Sequence, residues 1–263
     1  MANKRTRERQ LAKLAARRQA ERAGQIRRRN RIVAVVVGVV TAGIVATAGF
    51  LFLPDDGSST ASPTPSVRNA RTVACQAKAP KAADRKRPTF EKAPKLTIDP
   101  KATYTVTMET SCGTIVIELD PKNAPETVNS FVFLAGKRYF DGLIFHRIDA
   151  SIDVIQGGDP QGTGGGGPGY TIPDELTGHE RYVTGTLAMA NGGPDTGGSQ
   201  FFIIYGPKGE SLPPDYTIFG HVTKGLDVAK KIARVPITDP NGGIPGQQPS
   251  LKVYMDSVTV EQS

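Results

Sequence analysis

The chain has 263 residues, of which 22% are charged and 38% hydrophobic, enough for one or two domains with a real core. Its net charge of +8 is unevenly spread: residues 1–31 hold twelve Lys/Arg against two Asp/Glu, a charge of +10, which leaves −2 for everything after them. The basic balance therefore describes a tail and not the folded part. The two cysteines form no Cys-x-x-Cys pair and the three histidines, His146, His179 and His221, are scattered, which excludes a zinc-ligand spacing.

Residues 1–31 are rich in Arg and Ala and free of proline, with Leu11, Leu14 and Ala15 as a thin apolar stripe. They read as a solvated basic cytoplasmic tail, or as one drawn to anionic headgroups at about 1 kcal/mol per basic residue. With no aromatics to stack on bases, nucleic acid is not an expected partner.

Ile32 to Leu53 contains no charge. As a helix it would be about 33 Å long, enough to cross a hydrocarbon core of ~30 Å. Arg27, Arg28, Arg29 and Arg31 precede it, and Pro54, Asp55 and Asp56 follow. The segment (32–53) thus reads as a transmembrane signal anchor, N-terminus cytoplasmic and the remainder extracytoplasmic. The rival is a signal peptide cleaved after Ala46-Thr47-Ala48; the long charged region and the continuing Phe50-Leu51-Phe52-Leu53 argue against it.

Residues 54–99 read as a flexible linker, because Ser, Thr, Pro, Ala and Lys bury too little to offset ordering entropy. Cys75 interrupts it. Outside the cytoplasm a disulfide is permitted, and a Cys75–Cys112 bond stapling the late linker to the first hairpin is the hypothesis; two free thiols are the alternative.

Residues 100–263 read as the folded domain. Tyr104–Met108 and Gly113–Leu119 alternate as strands around a turn at 110–113. Ala124–Tyr139 reads as a helix with Pro125 in its first turn and Val128, Phe131, Val132 and Leu134 along one face. Leu143–Ile148, Val154–Gln156, Gly185–Ala190, Phe201–Tyr205, Tyr216–Val222 and Leu251–Val260 are short strand candidates, and Leu226–Arg234 a second helix. Many strands with two helices suggest a mainly β, closed barrel; periodicity alone leaves the strand order open.

The stretch 145–203 carries the chemistry. It contains Phe145-His146-Arg147-Ile148, Gln156-Gly157-Gly158-Asp159-Pro160, Leu187-Ala188-Met189-Ala190-Asn191-Gly192-Gly193-Pro194 and Gly198-Ser199-Gln200-Phe201-Phe202-Ile203. In this order and spacing the motifs resemble the cyclophilin family of peptidyl-prolyl cis-trans isomerases, over roughly Thr103 to Val260. The resemblance implies an eight-stranded antiparallel β-barrel capped by two α-helices. Catalysis of X-Pro rotation must lower a barrier of ~18–20 kcal/mol set by amide resonance, and it calls for no metal or cofactor. An arginine suits it, because a fixed fork of N–H donors can bond the pyramidal nitrogen of the twisted amide.

By resemblance, Arg147 is that catalytic residue and Gln156 orients it. Phe202 is the floor of the proline pocket, and Leu212 and Tyr216 form its far wall. Gln200 and the backbone of Ala190, Asn191 and Gly192 bind the residues beside the proline. The spacing from Arg147 to Gln156 is one residue longer than usual in the family, and Asp153 and Val154 fall where a phenylalanine and a methionine usually line the pocket. Either Asp153 enters the pocket and competes for Arg147, or the extra residue makes a bulge that turns Asp153 outward and brings Ile152 or Val154 inward. Ser211 stands where cyclosporin-sensitive members carry tryptophan.

Gly162 to Gly167 formally contains Gly-x-Gly-x-x-Gly, but Pro168-Gly169 follows at once, so no helix begins there to receive a pyrophosphate. No Gly-x-Ser-x-Gly elbow occurs. The reading is a membrane-anchored bacterial isomerase that speeds folding of exported or envelope proteins and takes proline-containing unfolded or extended polypeptides as partners. A binding or chaperone module without useful turnover is the alternative, kept alive by Asp153.

Overall fold

The computed structural model describes residues 72–178, 180–238 and 247–263. The basic tail, the apolar run Ile32–Leu53 and the linker through residue 71 lie outside the described residues, as do His179 and 239–246. Among the described residues no helix is long and apolar enough to cross a membrane.

Among the described residues eight antiparallel strands make one sheet: β1 (Tyr104–Thr110), β2 (Gly113–Leu119), β3 (Arg147–Asp149), β4 (Val154–Gly157), β5 (Thr186–Met189), β6 (Phe201–Ile204), β7 (Ile218–Lys224) and β8 (Met255–Gln262), in the order β3-β4-β6-β5-β7-β2-β1-β8. Among the described residues two α-helices accompany them, α1 (Pro125–Gly136) and α2 (Leu226–Ala233). The sequence suggests a closed barrel; the ladder is that of a curled sheet with β3 and β8 at its ends. Those ends meet beside the strands, through the isolated antiparallel bridge Ile144–Tyr254 and the bonds from Phe145 N to Val253 O (2.9 Å) and Met255 N to Leu143 O (2.8 Å). The candidate strand Leu143–Ile148 is thus split between this seam and β3.

Each element follows from its residues. In β1 and β2 the alternation places Val106, Met108, Ile115 and Ile117 inward. The hairpin turn is held by Thr110, whose hydroxyl donates to Gly113 O (2.6 Å) and accepts from Cys112 N (3.1 Å). Pro125 opens α1, where its missing N–H costs nothing. Ala124 offers no capping side chain, and the Glu175 carboxylate caps from afar, accepting the Glu126 and Thr127 amides at 2.9 Å each. Phe131 on α1 stacks on Phe140 (4.8 Å between ring centres) and meets Phe201 and Phe219 at 5.8 and 5.5 Å, the aromatic centre of the main core.

The run Phe201-Phe202-Ile203-Ile204 is buried throughout because both faces of β6 are covered. Phe201 and Ile203 enter the main core, while Phe202 and Ile204 enter a second, smaller cluster with Val154, Tyr182 and Ala188. A strand's period of two sorts the same run into two destinations.

Residues 72–99 are not the tether that composition suggests; they are a strap packed on the domain. Val73 bridges Lys252, and Ala74 N donates to Lys252 O (3.0 Å). Arg87 is buried, its Nε donating to Tyr139 O (2.7 Å) and Nη2 to Asp141 O; burial lowers the guanidinium pKa, the neighbouring Arg85 charge lowers it further, and Asp141 opposes both. A Cβ at Gly142 would lie 2.4 Å from the Ala82 carbonyl, so only glycine lets the strap approach there. Phe90 packs edge-on against Phe133 (5.0 Å), and its N–H donates to Pro168 O (2.8 Å). Cys75 and Cys112 are disulfide-bonded, with Cα atoms 5.2 Å apart. Composition hides this ordering because a few anchors, not a hydrophobic period, hold the strap.

Candidate active site

Register assembles the site. Arg147 pairs with Gln156 across β3 and β4, Gln156 with Phe202 across β4 and β6, and Ala188 with Phe202 across β5 and β6. Directly paired residues share a face, so one line across four strands sets Arg147, Gln156, Phe202 and Ala188 side by side. The next line on the same face holds Asp149, Val154 and Ile204.

Arg147 is gripped at all three nitrogens. Its Nη1 donates to Gln156 Oε1 (3.0 Å), its Nε to Gln247 Oε1 (2.7 Å) and its Nη2 to Asp149 Oδ2. A guanidinium has five N–H donors; among the described residues these bonds leave one hydrogen on each Nη without a protein acceptor. The arginine side chain keeps 19% of its surface exposed, against 6% for Asp149. Gln156 passes the connection on, its Nε2 donating to Gln200 Oε1 (3.0 Å), and Gln200 Nε2 donates to the carbonyls of Gly164 (3.0 Å) and Gly166 (2.8 Å).

The glycine loop is shaped by Asp159, whose carboxylate accepts the amides of Gln161 (2.7 Å), Thr163 (2.9 Å) and Gly164 (2.6 Å). A Cβ at Gly166 would lie 2.0 Å from Asp159 Oδ1, so glycine there is a requirement of close packing.

The apolar cup is the second cluster. Phe202 is its buried floor, and Tyr216 stands against it edge-on with ring centres 5.2 Å apart. Ile152, Leu212, Tyr216, Ala190 and Ile218 pack around its buried members. Tyr182, which sequence reasoning missed, pins this wall: its hydroxyl donates to Tyr216 O and accepts from Tyr216 N, each at 3.0 Å. Burial pushes its phenol up to about 12, against the Tyr216 backbone bond that lowers it.

Along the rim, Ala190 N donates to Gln200 O (2.9 Å), Asn191 Nδ2 to Asp215 O (2.8 Å) and Gly192 N to Thr196 Oγ1 (2.8 Å). These groups shape the rim by bonding within the protein.

Asp153 stays out of the cup, and Ile152 and Val154 face into it, but without the expected bulge. β3 and β4 pair without a shift, so there is no bulge; the extra residue lies in the turn Ala150–Asp153. Asp153 closes that turn with a left-handed backbone (φ 50°), a conformation aspartate tolerates better than most residues. Its Oδ2 accepts the Lys208 amide (3.0 Å), and the Lys208 ammonium lies 3.6 Å from Oδ1. Arg147 therefore pairs with Asp149, and the apolar neighbours Ile152 and Val154 both join the cup. Asp149 was legible after all: it lies two residues beyond Arg147 on one strand, hence on the same face. Gln247 carried no signal, since it reaches Arg147 from a hundred positions away.

His146 is fully buried beside Arg147, and neither ring nitrogen has a hydrogen-bond partner among the described residues. Burial lowers its pKa, the Arg147 charge adds to this, and Asp159 opposes it. The net effect favours the neutral ring. Among the described residues no group of His, Cys, Asp or Glu is arranged to hold a metal ion.

A family profile described as cyclophilin type peptidyl-prolyl cis-trans isomerase/CLD matches residues 105–260. The probable peptidyl-prolyl cis-trans isomerase B of Mycobacterium tuberculosis H37Rv is 36% identical over 219 residues, covering 77% of this chain and 69% of that one. Peptidyl-prolyl cis-trans isomerase B of Bacillus subtilis is 49% identical over 120 residues, covering 45% of this chain and 82% of that one. Among solved structures, a cyclophilin type peptidyl-prolyl cis-trans isomerase of Cryptosporidium parvum superposes with a TM-score of 0.54 at 28% identity, covering 61% of this chain and 99% of that one. A second structure of that isomerase, in the presence of the dipeptide Ala-Pro, superposes with a TM-score of 0.53.

Proposed function

This chain belongs to the cyclophilin-type peptidyl-prolyl cis-trans isomerase family, and we propose that it turns over X-Pro bonds with Arg147 as the catalytic group, anchored in the cell membrane with the isomerase domain on the extracytoplasmic side. The isomerase activity comes with the family; the residue roles and the location are proposed.

The observation that carries the roles is the line Arg147–Gln156–Phe202 across adjacent strands. It sets a cationic donor at the edge of an apolar cup. The cup takes the proline ring, with Phe202 as floor and Val154, Ile152, Leu212 and Tyr216 as walls. The two remaining Nη hydrogens of Arg147 meet the imide as it twists. Planar imide nitrogen has its lone pair tied up in resonance; half-rotated nitrogen recovers it and accepts a hydrogen bond. The bond is thus stronger in the transition state than in the ground state, which is the requirement for acceleration. Gln200, Ala190, Asn191 and Gly192 receive the flanking residues. A non-turnover binder rested on a carboxylate in the cup, and the Asp153 carboxylate bonds the Lys208 amide instead.

The test compares the full-length protein with Arg147→Ala by exchange NMR on an Ala-Pro peptide. The expected loss in kcat/KM is at least about a hundredfold, the scale for removing one transition-state donor. Equal rates would remove Arg147 from the reaction and favour the binding module.

Location follows from the apolar run Ile32–Leu53, the arginines before it and the acids after it. A Cys75–Cys112 bond suits an oxidising compartment. There the enzyme serves exported and envelope polypeptides, whose X-Pro bonds otherwise isomerise over tens to hundreds of seconds. Protease added to intact cells should release the domain while leaving an N-terminal tag protected; a domain protected until lysis would reverse the orientation.

A further inference from the structure

We propose that Asp149 is a positioning residue for the isomerase reaction, holding the Arg147 guanidinium in the plane that presents its two remaining Nη hydrogens to the twisting imide. The inference rests on Arg147 being the catalytic group.

Arginine has a long, freely rotating stem, and a donor that wanders by an ångström loses much of its effect. Three acceptors from three separate places fix it here: Gln156 on β4, Gln247 beyond α2, and Asp149 on β3 itself. Asp149 is the charged one, so its bond is the strongest of the three. It is also the best held. It is buried, and its other oxygen, Oδ1, accepts both the Ser151 amide (3.0 Å) and the Ser151 hydroxyl (2.5 Å). The turn after β3 thus sets the carboxylate, and the carboxylate sets the guanidinium. Gln156 and Gln247 fix the Nη1 and Nε edges; without Asp149 the Nη2 edge is open, and Arg147 can swing about the axis through the other two bonds.

A salt bridge that served stability alone would leave turnover per folded molecule unchanged. A positioning contact acts on kcat more than on KM, because the imide bond to Arg147 forms in the transition state. Asparagine in place of Asp149 keeps an oxygen at the Nη2 edge without the charge, so it separates geometry from electrostatics.

The experiment measures kcat and KM for the full-length protein, Asp149→Ala, Asp149→Asn and Arg147→Ala with the same Ala-Pro peptide. Asp149→Ala should lower kcat about tenfold with KM within about twofold, and Asp149→Asn should restore most of that loss. Unchanged kcat in Asp149→Ala overturns the proposal, and so does an asparagine variant as impaired as the alanine one. Wild-type turnover in Arg147→Ala overturns the role of Arg147 itself and this proposal with it; an impaired Arg147→Ala beside an intact Asp149→Ala removes this proposal alone. If the Asp149 variants do not fold, 15N-arginine NMR of the unmodified protein decides. Hindered rotation about the Arg147 Cζ–Nη2 bond supports the clamp, and free rotation overturns it.

Discussion

Gln156 Nε2 donates to Gln200 Oε1 at 3.0 Å, and this contact joins the β3–β4 hairpin to the glycine loop. On one side Gln156 holds Arg147; on the other Gln200 holds the Gly164 and Gly166 carbonyls. Gln200→Ala should free both, leaving Gln156 able to rotate away from Arg147. We expect kcat/KM to fall about tenfold, with stability lowered by about 1 kcal/mol, the net worth of such bonds. Peptide exchange NMR and urea unfolding measure the two, and a variant with full activity would show that Arg147 needs no support from the loop.

The strap makes a second prediction. Native protein should show no free thiol, and two after reduction. The Cys75–Cys112 bond spans 37 positions, and a loop of that size is worth roughly 4 kcal/mol in the chain-entropy model. Replacing both cysteines by alanine should lower the unfolding free energy by that order. A loss under about 1 kcal/mol would mean that Arg87 and Phe90 hold the strap unaided.

His146 imposes a pH dependence on stability. Its folded pKa lies below the ordinary 6.5 because burial disfavours the charged ring. Between those two values the unfolded chain binds the extra proton. The stability contribution is therefore complete above about 6.5, falls as pH drops below it, and levels off below the folded value. The limiting slope is one proton, about 1.4 kcal/mol per pH unit. Urea unfolding of the protein and of His146→Gln at pH 8 and 5.5 measures it; an equal drop in both proteins would assign the titration elsewhere.

Ser211 ends a short 3-10 turn, Pro207–Ser211, with its hydroxyl donating to Lys208 O (2.8 Å). It offers no ring beside the cup, and the chain has no tryptophan at all. Cyclosporin should bind weakly, with a Kd above micromolar by calorimetry; a sub-micromolar value would contradict this.

The strands, both helices and the cup residues were legible because short-range patterns carry them. Alternation sorted β1 and β2, and Pro125 with its apolar face marked α1. The motif order around Arg147, Gln156 and Phe202 named residues that the register then set side by side. What failed was local in appearance and distant in cause. The segment 72–99 looks like a tether because its anchors, Cys75, Arg87 and Phe90, each find partners far along the chain. From sequence the extra residue before Gln156 reads as a bulge or an intruding acid, since nothing near Asp153 announces the Lys208 amide that it receives.

Sequence alone determined the family, the main strands and helices of the domain and the residue types at the candidate site, because pattern and motif are properties of neighbours. Tertiary structure alone decided that Asp153 turns to the Lys208 amide, which glutamine closes the third side of Arg147, and that the strap belongs to the domain. Those outcomes depend on curling the sheet until positions a hundred residues apart meet, and no local preference encodes that meeting.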